Sequence, residues 1–271
     1  MFESLRNAFK VKDIRKRLIY TFIALVIVRL GTLLPAPAVN RDYTNQIFNS
    51  QALGFFNSIT GGSFEKLSIF ALSITPYISA SIIMQLLTIA IPKLEEMQKE
   101  GEDGRKKINE FTRYLTVGLA VIESIAMAIG FGNQGALEGG LTFTNLIIII
   151  ASFTAGSAFL MWLGEKITEN GVGNGISIIL TINIISSLPA DFINLFNTYI
   201  KGQSVVKAVL AIILIILISL ALVAYVVVLQ DAERRIPVTY AKRIQRRKMV
   251  GGQTSHIPLK VNTAGVIPII F

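Results

Sequence analysis

An all-α polytopic membrane protein is the fold class predicted here, and three observations carry that prediction. Of the 271 residues, 52 % are hydrophobic and the mean hydropathy is +0.59, too apolar for a soluble domain of this size. Apolar runs near 18–38, 67–91, 113–132, 142–163, 175–195 and 206–229 each have about the 20 residues a helix needs to cross the hydrocarbon core. The cations fall in alternate connections between these runs: the segments before 18, 92–114, 164–174 and 230–260 hold six, six, one and eight lysines or arginines, against four (Arg41, Lys66, Lys201 and Lys207) on the other side. Short basic loops resist export, so the N-terminus is predicted to be cytoplasmic. With no cysteine and one histidine, His256, disulfides, thiol chemistry and a histidine metal cluster are excluded. No enzyme is predicted, and no cofactor.

Span one follows Arg6, Lys10, Lys12, Arg15, Lys16 and Arg17 and lacks a small-residue cleavage pattern, so it reads as retained rather than as a signal peptide. Arg29 lies in its outer half. An intramembrane charge is a functional candidate, although an arginine near a helix end also snorkels to the interface.

Span two departs from an ordinary lipid-facing helix. Serines and threonines at 68, 73, 75, 79, 81 and 88 dilute it, and Pro76 disfavours helical geometry at Thr75 and removes a backbone donor. A break there is predicted. Freed backbone groups are tolerated only where protein or a water-filled cavity surrounds them. Gly61 and Gly62 precede a segment, 63–72, that is too short to cross a membrane. It reads either as a mobile half-helix on the outer side or as part of a Pro-kinked helix in a bundle.

Span three contains Glu123, a second intramembrane charge. Span five is entered through Gly171, Gly173 and Gly175, which suit a tight turn into a helix N-terminus. Their spacing matches neither GxGxxG nor GxxxxGK[ST], so nucleotide binding is not predicted. The loop 92–114 holds six acidic and six basic residues and reads as a solvated turn. Span six is apolar on all sides, as a lipid-facing helix should be.

After span six, Ile236, Val238 and Tyr240 alternate with polar residues, as do Ile257, Leu259 and Val261, with Gly251 and Gly252 between them. This predicts a β-hairpin at about 234–261. Its cations are Arg234, Arg235, Lys242, Arg243, Arg246, Arg247 and Lys248. They either enforce topology and touch anionic lipid headgroups or dock an acidic or RNA-rich partner. An elaborated hairpin exceeds what topology requires and favours docking. His256 reads as an ordinary hairpin residue. A seventh apolar run begins at Val261, and the sequence stops at Phe271, which predicts an end inside a helix.

Five blocks carry a family likeness: ITPYISASIIMQLL at 74–87, EGEDGRKKINEFTRY at 100–114, MWLGEKITENGVGNGISII at 161–179, RRIPVTYAKR at 234–243 and HIPLKVNTAGVIP at 256–268. In them the chain resembles the SecY family of bacterial protein translocases along essentially its whole length. The resemblance implies two pseudo-symmetric five-helix halves around an hourglass pore for unfolded polypeptide, with a lateral opening to lipid. Residues 1–17 would be the cytoplasmic N-terminus, 18–200 the first half, and 201–271 the start of the second half with a truncated span seven.

It further implies a pore ring of Ile74, Ile78, Ile176, Leu180 and Ile270. Both early pairs are spaced i, i+4 and so share a helix face. The implied plug is Ser63, Phe64, Glu65, Lys66, Leu67, Ser68, Ile69, Phe70, Ala71 and Leu72, expected in a weakly apolar socket that it can leave. Implied partners are SecE, SecG, the SecA ATPase, the ribosome, signal sequences, translocating polypeptides and anionic lipids, with no direct DNA binding. The motor or ribosome would dock on the seven hairpin cations. Implied localisation is the cytoplasmic (inner) membrane. A secondary transporter for small solutes and an insertase without an aqueous pore are the competing readings.

Overall fold

A computed structural model describes residues 10–40, 54–239, 243–245, 248–250 and 254–262. The chain divides into two compact units, Met1–Asp191 and Phe192–Phe271. The described helices are α1 (Lys12–Leu33), α2 (Gly54–Thr60), α3 (Thr75–Ala90), α4 (Pro92–Lys99), α5 (Glu102–Asn133), α6 (Phe143–Asn170), α7 (Gly175–Tyr199) and α8 (Val205–Asp231). Among the described residues four, α5 to α8, are long and apolar enough to cross a membrane. Of the other two expected spans, the first forms as α1, a 22-residue helix that carries Lys16, Arg17 and Arg29. The second is broken.

The expected span 67–91 is corrected to a helix of 16 residues preceded by turns over 61–74. Pro76 stands in the first turn of α3, where its missing N–H has no intrahelical partner to lose and its fixed φ suits the helix. At the far end Ile91 is extended (φ −111°, ψ 111°) before Pro92, as a residue preceding proline prefers. The axis there turns by 102° into α4. Gly101 (φ +88°) closes the next turn, and the Met97 carbonyl lies where a Cβ on Gly104 would be. Residue 104 thus admits only a hydrogen, and α4 packs directly on the start of α5.

α5 packs against α3 and α6. Thr112, Thr116, Ala120, Ser124, Ala128 and Gly132 are buried along it, and the spacing of four makes them one ridge. Small residues on such a ridge let helix backbones approach where lipid provides no hydrophobic drive. The hydroxyls are satisfied within the helix: Thr112 donates to the Ile108 carbonyl (2.9 Å), Thr116 to Thr112 (2.7 Å) and Ser124 to Ala120 (2.6 Å). Such back-bonding satisfies a buried hydroxyl within its own helix, and Ser124 Oγ lies in addition 3.2 Å from Thr154 Oγ1 of α6.

In the second unit, the apolar stretch of α8 has none of its residues buried. The expected hairpin forms, with more structure than one stem. Strand β1 (Glu233–Thr239) pairs antiparallel with β4 (Thr254–Lys260), Ile236 opposite Ile257. Between them in sequence, β2 (Arg243–Gln245) and β3 (Lys248–Val250) form a second two-stranded ribbon.

Candidate functional site

Residues 61–74 run between α2 and α3 as successive turns, so the expected half-helix over 63–72 is corrected. The short helix lies upstream, at Gly54–Thr60. Three-residue bonds close the turns: Leu67 N–H to the Phe64 carbonyl, Ala71 to Ser68, Ser73 to Phe70 and Thr75 to Leu72. Leu67 and Ser73 have φ of +42° and +51°, a left-handed geometry that interrupts any helix. Ser63 is fully buried, its Oγ 2.8 Å from the Thr60 carbonyl and 2.9 Å from that of Phe70. One hydroxyl thereby ties the start of the segment to its far side.

The segment is bound firmly to its surroundings. The Ala36 N–H donates to the Leu67 carbonyl and the Ile69 N–H to that of Leu34, both at 3.0 Å. Leu67, Ala71 and Leu72 join a core cluster with Ala120, Ala128, Ile149 and Phe153. Phe70 lies against Gly31 and stacks on Phe159 with ring centroids 6.0 Å apart. The Ile69 carbonyl occupies the place of a Cβ on Gly156. Phe64 meets Phe131 edge-on at 5.7 Å. Glu65 accepts from Asn57 Nδ2 at 2.8 Å, while Lys66 is exposed. The weakly apolar socket expected from the sequence is thus corrected too: four helices and a backbone bridge hold this segment.

Ile74 precedes α3 and is fully buried. It belongs to an apolar cluster with Ala24 and Val28 of α1, Phe70, Leu160, Leu163 and Ile167 of α6, and Ile179 of α7. Ile69, Ile78 and Ile176 pack against the same cluster. Three of the expected ring positions therefore come together, beside two expected plug residues. Leu180 does not join them. The packed row of α7 is Gly175, Ile179 and Asn183, so Ile176 and Leu180 form the adjacent, half-exposed row. Ile270 lies outside the described residues.

The entry to α7 is locally determined. Asn174 Oδ1 accepts from the N–H groups of Ile176 (3.1 Å) and Ser177 (3.4 Å), an N-cap arrangement. The Gly164 carbonyl fills the place of a Cβ on Gly175. Arg17 donates to the Gly171 carbonyl at 3.2 Å, and Val172 N–H to Thr21 Oγ1 at 3.2 Å, which joins α1 to this turn.

Both intramembrane charges sit at the broken helix. Glu123 borders a cleft of ≈ 270 Å³ with Thr60, Phe64, Ala71, Leu72 and Thr75. Arg29 donates to the Gly61 carbonyl at 3.2 Å. Sequence reasoning missed Asn183, buried in α7, which donates to Ser73 Oγ at 3.3 Å. An asparagine within an apolar run was the available signal. It also missed the α5 ridge, legible as small residues at every fourth position.

The docking cations are less unified than their sequence clustering implied. Arg234 and Arg235 are adjacent in a strand, so the pleat sends them to opposite faces. Arg234 stands opposite Leu259 and Arg235 opposite Pro258. Arg243 lies opposite Val250, and Lys248 opposite Gln245. Lys242, Arg246 and Arg247 fall outside the described residues.

Apolar helices, one of them with Pro76 in its first turn behind a run of packed turns and a sharp bend at Pro92, define a multi-pass helical membrane protein. A sequence model of the SecY family matches residues 68–271. The protein translocase subunit SecY of Halalkalibacterium halodurans is 44 % identical across this whole chain, and that of Pseudomonas aeruginosa is 45 % identical over 96 % of it. The chain spans 64 % and 59 % of those two proteins. A solved protein conducting channel superposes with a TM-score of 0.61 at 22 % identity, covering 94 % of this chain and 55 % of that one. Sec61 in the canine ribosome–channel complex from the endoplasmic reticulum gives 0.56 at 21 %, covering 83 % and 49 %. The chain belongs to the SecY family.

Proposed function

We propose that this chain contributes the first half and the start of the second half of a protein-conducting channel subunit. The complete protein passes unfolded secretory polypeptides across the cytoplasmic membrane and releases membrane segments sideways into lipid. The observation that carries this reading is the shared cluster of Ile74, Ile78 and Ile176 with Ile69 and Phe70. Branched apolar side chains brought together from separate elements exclude ordered water and so resist ions. The same contacts are non-directional and yield to a passing strand. In the resting state residues 63–72 act as the plug, and their departure opens the seal.

The N-terminus and the basic hairpin face the cytoplasm on this reading. The hairpin cations receive an external motor, the SecA ATPase or a translating ribosome, and their attraction to lipid headgroups is secondary. SecE and SecG complete the assembly. Binding favours the open state of an existing equilibrium, and no residue here performs covalent chemistry.

The test is a stalled secretory chain in the complete translocase, with a photoreactive group at position 78 or 176. Crosslinks from both positions to the stalled chain support the channel. Crosslinks to lipid alone refute it.

A further inference from the structure

Two polar side chains from different helices grip the two ends of the plug segment. Arg29, about one turn before the end of α1, donates to the Gly61 carbonyl at 3.2 Å. Gly61 has φ +66°, and a Cβ there would lie 2.8 Å from Arg29 Nη1, 3.0 Å from Asn183 Cα and 3.0 Å from Ser186 Oγ. Only glycine allows α1, α7 and this turn to meet. At the other end Asn183 donates to Ser73 Oγ at 3.3 Å, across 110 residues of sequence. Ser73 itself has φ +51°. Asn183 Oδ1 is buried and has no partner among the described residues.

From these contacts we infer that Arg29 and Asn183 are positioning residues that latch the plug segment at Gly61 and Ser73 and set the resting closure of the channel. The inference rests on the gate reading above. An arginine among apolar neighbours is costly unless bonded, so the closed arrangement gains what the guanidinium gains at Gly61. When the segment leaves, Arg29 has to find another acceptor. Asn183 works in the opposite sense. Its unsatisfied oxygen is destabilising in the closed form, so that end of the latch is held weakly, and opening can begin at Ser73.

The experiment uses the full-length protein with its partner subunits in proteoliposomes, reading resting ion conductance and the thermal midpoint. The variants are Arg29→Met, Arg29→Lys, Asn183→Leu and, as a gate control, Ile78→Ser. Arg29→Met is expected to raise resting conductance roughly tenfold, the scale of losing a hydrogen bond to a charged donor. Arg29→Lys, which can still donate to Gly61, is expected to restore most of the closure. Asn183→Leu deletes the unpaired buried acceptor along with the long bond to Ser73, and is expected to lower resting conductance while the midpoint holds or rises, the reverse of Arg29→Met. A rise in conductance overturns the weak-end assignment of Asn183.

Arg29→Met staying closed beside a leaking Ile78→Ser overturns the latch alone. Arg29→Lys leaking as much as Arg29→Met overturns it as well, since donation is then irrelevant. Closure in both Arg29→Met and Ile78→Ser overturns the gate reading itself, and the latch falls with it.

Discussion

The ring of Phe70 rests on Gly31, so closely that a Cβ on residue 31 would overlap it. Gly31→Ala must push the ring off its stack with Phe159, whereas Gly156→Ala must move the Ile69 backbone carbonyl. A side chain can yield and a backbone cannot. Overpacking typically costs about 1–3 kcal/mol, and Gly156→Ala is expected at or above the top of that range, Gly31→Ala below it. Gly62, with open space around it and φ +83°, is expected to cost only about 1 kcal/mol on substitution by alanine, from backbone geometry alone. Thermal unfolding of the three variants in detergent checks the order.

Removing the Ser63 hydroxyl should loosen residues 63–72 from within. The Thr60 carbonyl loses the shared hydroxyl as donor, while the Phe70 carbonyl keeps the Ser73 N–H, and a buried acceptor left unpaired costs about 1–3 kcal/mol. Ser63→Ala is therefore expected to accelerate amide hydrogen exchange at Leu67, Ala71 and Ser73, whose bonds close the turns. Exchange within α5 should not change.

Arg113 Nε donates to Glu165 Oε1 at 2.7 Å and joins α5 to α6. The arginine side chain is 47 % exposed, so solvent screens the pair and its coupling is expected at about 0.5–1 kcal/mol. A double-mutant cycle on unfolding with Arg113→Ala and Glu165→Ala measures it. The coupling should shrink in high salt.

Opposite faces of β1 predict unequal effects of charge reversal. Arg234 shares its face with Ile236, Ile257 and Leu259, whereas Arg235 shares its face with Pro237, Pro258 and His256. If one face meets the motor, then one of Arg234→Glu and Arg235→Glu is expected to weaken binding at least tenfold, and the other about threefold or less through the general field alone. Sedimentation with SecA or ribosomes at two salt concentrations resolves this. Equal losses would mean that the hairpin is gripped from both sides.

Much of this arrangement was legible in the sequence. Pro76 marked where α3 begins, because proline's steric demand is local and independent of the partner it meets. The alternation in β1 and β4 gave the hairpin stem for the same reason. The state of residues 63–72 was not legible. Their composition is apolar enough for a helix, and what prevents one is left-handed geometry at Leu67 and Ser73, residue types that avoid it. Only the tertiary contacts with Leu34, Ala36 and Phe153's cluster impose that geometry. The packing of the expected ring positions was legible in part. Ile74, Ile78 and Ile176 adjoin one apolar cluster, while Leu180 lies a row away because Ile179 packs inward. Gly164 and Gly175 decide that row, through contacts between residues far apart in any local pattern.

Helix α8 offers the same greasy surface in every direction, with none of its apolar stretch covered. At its end the backbone passes directly through Ala232 into β1, and the Val261 N–H returns to the Ala232 carbonyl at 3.0 Å. Both legs of the ribbon are thus tied to the residue that follows α8, so a pull on either strand is delivered to the helix at a single point.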